Sequence, residues 1–204
     1  MPNFAKRVKQ MYEIREKQMQ NEQINEHIFR DFCKRIGEDY TRAGLQATPK
    51  RLAQLESILY AGYSLSPKEA LGGLFANSGI DEMISIKDIA FYSMCEHHLL
   101  PFFGKVHIGY VPKDSIAGIS GFVRLVEVYA KRLQIQENLT NQIAQSITEL
   151  LSPKGVMVVC EARHLCMSMR EATKTQAQIT TSAVRGIFKS DSRTRGEFLQ
   201  LIKG

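Results

Sequence analysis

KVHIGYV, residues 105–111, sends Val106, Ile108 and Tyr110 to one side of an extended chain. Such alternation is the period of a strand half-buried in a sheet. Upstream, Ile84, Ile86, Ile89 and Phe91 predict a strand starting near Met83. Downstream, VMVVC and the segment through Met169 predict another. Helical spacing brackets these strands. A helix is expected from Ile24 to Ile36, ended by Gly37-Glu38-Asp39, and a further one begins at Thr48 with Pro49 in its first position. The latter turns Leu52, Leu55, Ile58 and Leu59 inward. Two more follow the central strands: Phe122, Leu125, Val126, Tyr129 and Leu133 form one stripe, and Leu139, Ile143, Ile147, Leu150 and Leu151 the next. Pro153-Lys154-Gly155 ends the second, and Glu197 to Ile202 closes the chain with a short helix. Helices, strands, helices, strands is an α+β order.

Near the amino terminus Phe4, Val8, Met11 and Ile14 make a narrow amphipathic stripe that Met19 does not cleanly continue. The chain has 204 residues, 44% hydrophobic and 24% charged, enough for a buried core without disulfide staples. No apolar run approaches the ~18 residues of a membrane span, and the amino terminus lacks a secretory apolar segment. A cytoplasmic protein with four thiols or metal ligands is the expectation. The net charge of +6 suits a polyanionic partner without choosing among nucleic acid, lipid and a phosphorylated small molecule. No basic–aromatic run or recognisable motif supports nucleic acid, and no membrane partner is expected.

Four of five histidines and three of four cysteines fall between Cys95 and Cys166. In Cys95-Glu96-His97-His98 the outer residues are three apart, so one turn could aim both at a metal ion. A lone C-x-x-H is a weak signal. His164-Leu165-Cys166 strengthens it: in an extended segment His164 and Cys166 share a face, roughly 7 Å apart. Cys95, His98 and Cys166 then form a three-ligand set with an open position, the arrangement of a catalytic rather than a structural zinc. His97 and His164 are left as proton donors and acceptors. Cys160, roughly 20 Å along the strand from Cys166, reads as a small core residue, and so does Cys33. His107 reads as a packed or hydrogen-bonded histidine, and His27 has no context. A zinc deaminase fails on spacing, since no H-x-E is paired with P-C-x-x-C.

ATPKRLA, SMCEHHLLPFFGKVHIGYVPKDSIAGIS, VRLVEVYAKRLQIQENLT, VVCEARHLCMSMR and TRGEFLQLI, in this order, resemble GTP cyclohydrolase I from about Ile36 to Ile202. The resemblance implies an antiparallel sheet with helices on one side (a tunnelling-type fold) preceded by amino-terminal helices, with an arm over 1–35 and a catalytic domain over 36–204. It implies a zinc hydrolase that takes GTP and water to 7,8-dihydroneopterin triphosphate and formate, the first step of tetrahydrofolate or pteridine synthesis. By this resemblance Cys95, His98 and Cys166 are the Zn2+ ligands and His97 and His164 the catalytic histidines, with His164 protonating the ring nitrogen that leaves. Glu137 reads guanine beside Gln136; its carboxylate can accept from the ring N–H and the exocyclic amine together. Read from sequence alone, without the resemblance, Glu137 is a solvated helix glutamate. Ser120, Arg124 and Arg170 match triphosphate contacts. The family implies a ring, a homodecamer of two pentamers with sites at subunit interfaces.

The chain departs from the pattern at Gly121, where a lysine is common, and at Glu171, where glycine is usual. A missing lysine is expected to weaken triphosphate binding by roughly 1–3 kcal/mol, and Gly121→Lys to restore it. These departures leave a second class open, a zinc-stabilised nucleotide binder without turnover. Retention of both histidines argues against it.

Overall fold

A computed structural model describes residues 23–170 and 177–203, so the stripe from Phe4 to Ile14 and Glu171 lie outside the described residues. The chain divides into two compact units, up to Ile58 and from Leu59 onward.

In the first unit, α1 spans 23–36 and α2 Thr48–Leu59, as the start and stop signals predict. Cys33 is buried, while Ile24, Ile28, Phe32 and Ile36 recur every four residues and are all exposed. The expectation that α2 turns its leucines inward is not met in the single chain. No α2 residue is buried, and Leu52, Leu55 and Ile58 stay exposed because nothing among the described residues of this unit covers that face.

The second unit starts with a 3-10 turn at Ala61–Ser64 and α3, Pro67–Leu71. Next come β1 (Leu74–Ala76), β2 (Ile84–Cys95), β3 (Pro101–Val111) and β4 (Ser115–Ala117). The chain continues through α4 (Ile119–Ala130), β5 (Leu133–Gln134), α5 (Gln136–Leu151) and β6 (Gly155–His164). It closes with α6 (Leu165–Ser168), β7 (Ile179–Gly186), α7 (Ile187–Ser190) and α8 (Ser192–Lys203). β1 and β4 pair alone; the main sheet has the order β5-β2-β3-β6-β7.

Four of its strands are antiparallel, as expected, but β5 runs parallel to β2, pairing Met94 with Leu133 and Cys95 with Gln134. The sheet is therefore mixed. Alternation along β6 explains its two faces: Val156, Val158, Cys160 and Ala162 join Leu125, Leu139, Ile143 and Ile147 of α4 and α5 in the main core. Met157 and Val159 point the other way, toward Phe188 and Phe198 of α7 and α8. The main helical layer lies on one side, and α7 and α8 cover part of the second. Gly109 permits this, because a Cβ there would stand 2.5 Å from the Phe198 ring.

Candidate active site

The site forms where β2 ends. After Cys95 the chain reverses within five residues: Leu99 N–H donates to Cys95 O at 2.8 Å, and Cys95 N–H to Leu100 O at 2.9 Å. Leu99 takes φ +53°, a left-handed conformation uncommon for a leucine and typical of a constrained functional loop. The loop sets His98 Nδ1 3.8 Å from Cys95 Sγ. Glu96 N–H donates to Gln134 O, so β5 braces the same loop.

Cys166 arrives from the far side of the sheet. The segment through Met169 was expected to be strand throughout; instead β6 stops at His164 and α6 turns Cys166 toward Cys95. Met169 N–H to Leu165 O at 2.8 Å and Ser168 Oγ to His164 O at 3.2 Å close that turn. Among the described residues, the ligand atoms of Cys95, His98 and Cys166 lie within 4.8 Å of one another and could hold a metal ion. Two thiols and an imidazole are a donor set suited to zinc. Burial and the neighbouring Cys95 push the Cys166 thiol above its ordinary range, so a cation must displace its proton.

His164 ends β6 beside this group. Its ring lies flat on Phe102, 4.6 Å between centroids and 6° between planes, and its Nε2 is 2.8 Å from Gln136 Oε1. Burial holds its pKa below the ordinary value, with Glu137 pulling weakly the other way. Glu137 is exposed in the first turn of α5. Gln136, by contrast, is only 1% exposed. His97 faces solvent, its Nε2 3.8 Å from Glu96 Oε1. Arg170 Nη1 donates to His98 Nε2 at 2.8 Å.

Ser120 and Arg124 are not brought to this cluster within one chain. β3 leads away from Cys95 for 11 residues, and α4 returns 12 residues to β5. Ser120, in the first turn of α4, is therefore roughly 15 Å up the helix from its metal-side end. Arg124 Nε donates to Ala70 O at 2.8 Å, clamping α3. The neighbouring approach of α3 to α4 explains Gly121: a Cβ there would stand 2.1 Å from the backbone carbonyl oxygen of Leu71. A lysine at 121 cannot be accommodated without moving α3, so the expected gain from Gly121→Lys is withdrawn.

The other assignments for cysteine and histidine fit their surroundings. Cys160 is buried, and burial pushes its thiol up to about 12. His107 Nδ1 accepts from Asp88 N–H at 3.2 Å at the β2 bulge.

The family model for GTP cyclohydrolase I matches residues 24–203. The chain belongs to the GTP cyclohydrolase I family. Relatives support the membership. The GTP cyclohydrolase 1 of Helicobacter pylori (strain G27) is 54% identical over 178 residues, covering 87% of this chain and 99% of its own. That of Helicobacter acinonychis (strain Sheeba) is 53% identical with the same coverage. That of Helicobacter hepaticus (strain ATCC 51449 / 3B1) is 54% identical over 86% of this chain and 85% of its own. As a GTP cyclohydrolase I, the protein is a hydrolase that converts GTP and water to 7,8-dihydroneopterin triphosphate and formate. No helix among the described residues is long and apolar enough to cross a membrane.

Proposed function

We propose that this enzyme works with zinc held by Cys95, His98 and Cys166, and with His164 and His97 as its proton-transfer groups. The observation that carries the reading is the convergence of the end of β2 and α6, 71 positions apart at Cys95 and Cys166, beside a half-buried histidine. Bound zinc supplies Lewis-acid chemistry and a hydroxide equivalent near neutral pH. His164, held flat on Phe102, donates the proton that the leaving imidazole nitrogen of the purine requires. His97, one residue from a metal ligand and open to solvent, exchanges a proton with water entering the site. Glu137 accepts from the guanine ring N–H and amine, a pair that adenine lacks. The charges proposed to surround the triphosphate are Arg170 beside His98, with Ser120 and Arg124 supplied by a neighbouring copy.

That division of the site between copies goes with assembly into a ring, for which a homodecamer is the proposed form. Among the described residues β7 is a free edge, and β5 covers only Met94 and Cys95 of the twelve-residue β2. Open edges of this length favour pairing with another chain. Tyr92, Phe75 and Ile119 are also exposed, as is the α1 stripe. We further assign residues 1–35 to an arm and 36–204 to the catalytic domain, a cytoplasmic location, and a product that feeds tetrahydrofolate or pteridine synthesis.

Light scattering tests the assembly: a decamer has ten times the 23.1 kDa chain mass. Formate release from GTP by Cys95→Ser, Cys166→Ser, His164→Ala and wild type tests the site. The reading fails if the variants match wild type.

A further inference from the structure

Gln136 was read from sequence as a contact for the base, yet its side chain is turned into the protein. Its Nε2 donates to Cys160 O and to Ile179 O, both at 2.9 Å, and lies 3.2 Å from Thr181 Oγ1. Two of these partners are backbone carbonyls, which can only accept. The amide cannot be turned over without setting its oxygen against both. Its orientation is therefore fixed by β6 and β7, and Oε1 is the atom that faces His164 Nε2 at 2.8 Å. An amide oxygen only accepts, so Nε2 of His164 must carry the proton. Thr181 Oγ1 also pairs with Thr140 Oγ1 at 2.6 Å, and Thr140 Oγ1 donates to Gln136 O at 2.8 Å. These bonds anchor the start of α5 to β7.

We propose that Gln136 is a positioning residue that holds His164 with its proton on Nε2 and leaves Nδ1 bare, so that Nδ1 takes the proton given up by the attacking water and hands it to the leaving purine nitrogen. The inference rests on His164 being the proton-transfer group. In an imidazole, the hydrogen bond made by one nitrogen sets the state of the other. Phe102 fixes the plane of the ring, and Gln136 fixes its rotation within that plane. A base contact and a positioning residue differ in what they change: the first alters the affinity for GTP, the second alters turnover.

The test uses the zinc-loaded full chain and formate release from GTP. Gln136→Met removes the acceptor with little change of volume. Its kcat should fall about 100-fold, within the range that loss of the correct histidine tautomer can cost, with KM within twofold. Gln136→Glu keeps an acceptor oxygen opposite Nε2 and should recover at least tenfold of that loss. In a His164→Ala background Gln136→Met should cost nothing further, because the two act as one unit. Nitrogen-15 solid-state NMR of histidine-labelled wild type, with His164 assigned by its variant, should give a protonated Nε2 and a bare Nδ1. A raised KM at unchanged kcat, additive losses in the double variant, or the opposite tautomer overturns the inference. A fully active His164→Ala instead overturns the underlying role of His164.

Discussion

Gly121 offers a sharp test of how α3 and α4 meet. Substituting alanine places a Cβ 2.1 Å from Leu71 O, 3.0 Å from its carbonyl carbon and 3.2 Å from its Cα. Ordinary contact begins near 3.4 Å, so the carbonyl must retreat by about 1.3 Å. Neither partner is the flexible end of a side chain, so the strain falls on backbone. Overpacking of this kind costs about 1–3 kcal/mol. Moving α3 also stretches the bond from Arg124 Nε to Ala70 O, which at an exposed site adds about 0.5–1.5 kcal/mol. Together the loss is about 1.5–4.5 kcal/mol, a melting-temperature drop of roughly 3–18 °C for a domain of this size. Differential scanning calorimetry at fixed protein concentration reads the drop, and GTP kinetics on Gly121→Lys reads affinity. Gly121→Ala melting within 1 °C of wild type, or Gly121→Lys lowering KM tenfold while remaining stable, would refute the reasoning.

Other predictions follow from the same geometry. Burial holds His107 below its ordinary pKa near 6.5, so the unfolded chain takes up the proton at higher pH than the folded one. Stability present above about pH 6.5 should therefore be lost as pH falls through the lower folded value. His107→Asn, which keeps an acceptor for Asp88 N–H, should show a shallower decline of urea midpoint between pH 7 and 5. Phe102→Leu should cost about 1–3 kcal/mol in stability and lower kcat several-fold by freeing the His164 ring, as urea melts and formate assays would show. Chelation should abolish formate release and expose Cys166 to a thiol reagent, while buried Cys33 and Cys160 stay unlabelled in the folded chain. Added zinc should reverse both effects, and mass spectrometry of the labelled thiols checks the count.

The sequence carried what is local. Alternation at Val106, Ile108 and Tyr110 and the spacing of Cys95 and His98 are properties of neighbouring residues, and both survive in the structure. The join to Cys166 was legible in its membership but not in its geometry, because a four-residue helix after His164 replaces the expected strand. β7 went unread: ITTSAVRG has half-buried positions on an edge strand and little apolar alternation to mark it. The surroundings of Gln136 were not legible for a different reason. Its partners, two strand carbonyls and a histidine, come together only when α5 docks on β6 and β7. Gly121 looked like a lost lysine, whereas its cause is the carbonyl of Leu71, fifty positions away in the chain.

The central claim is that the group formed by Cys95, His98 and Cys166 serves hydrolysis of GTP. Zinc content and formate yield measured on one preparation test it most directly. The account predicts one zinc per chain and one formate released per GTP consumed, with both lost together in Cys166→Ser. Full formate release from Cys166→Ser that binds no zinc, or a zinc-loaded wild type that releases none, would contradict it.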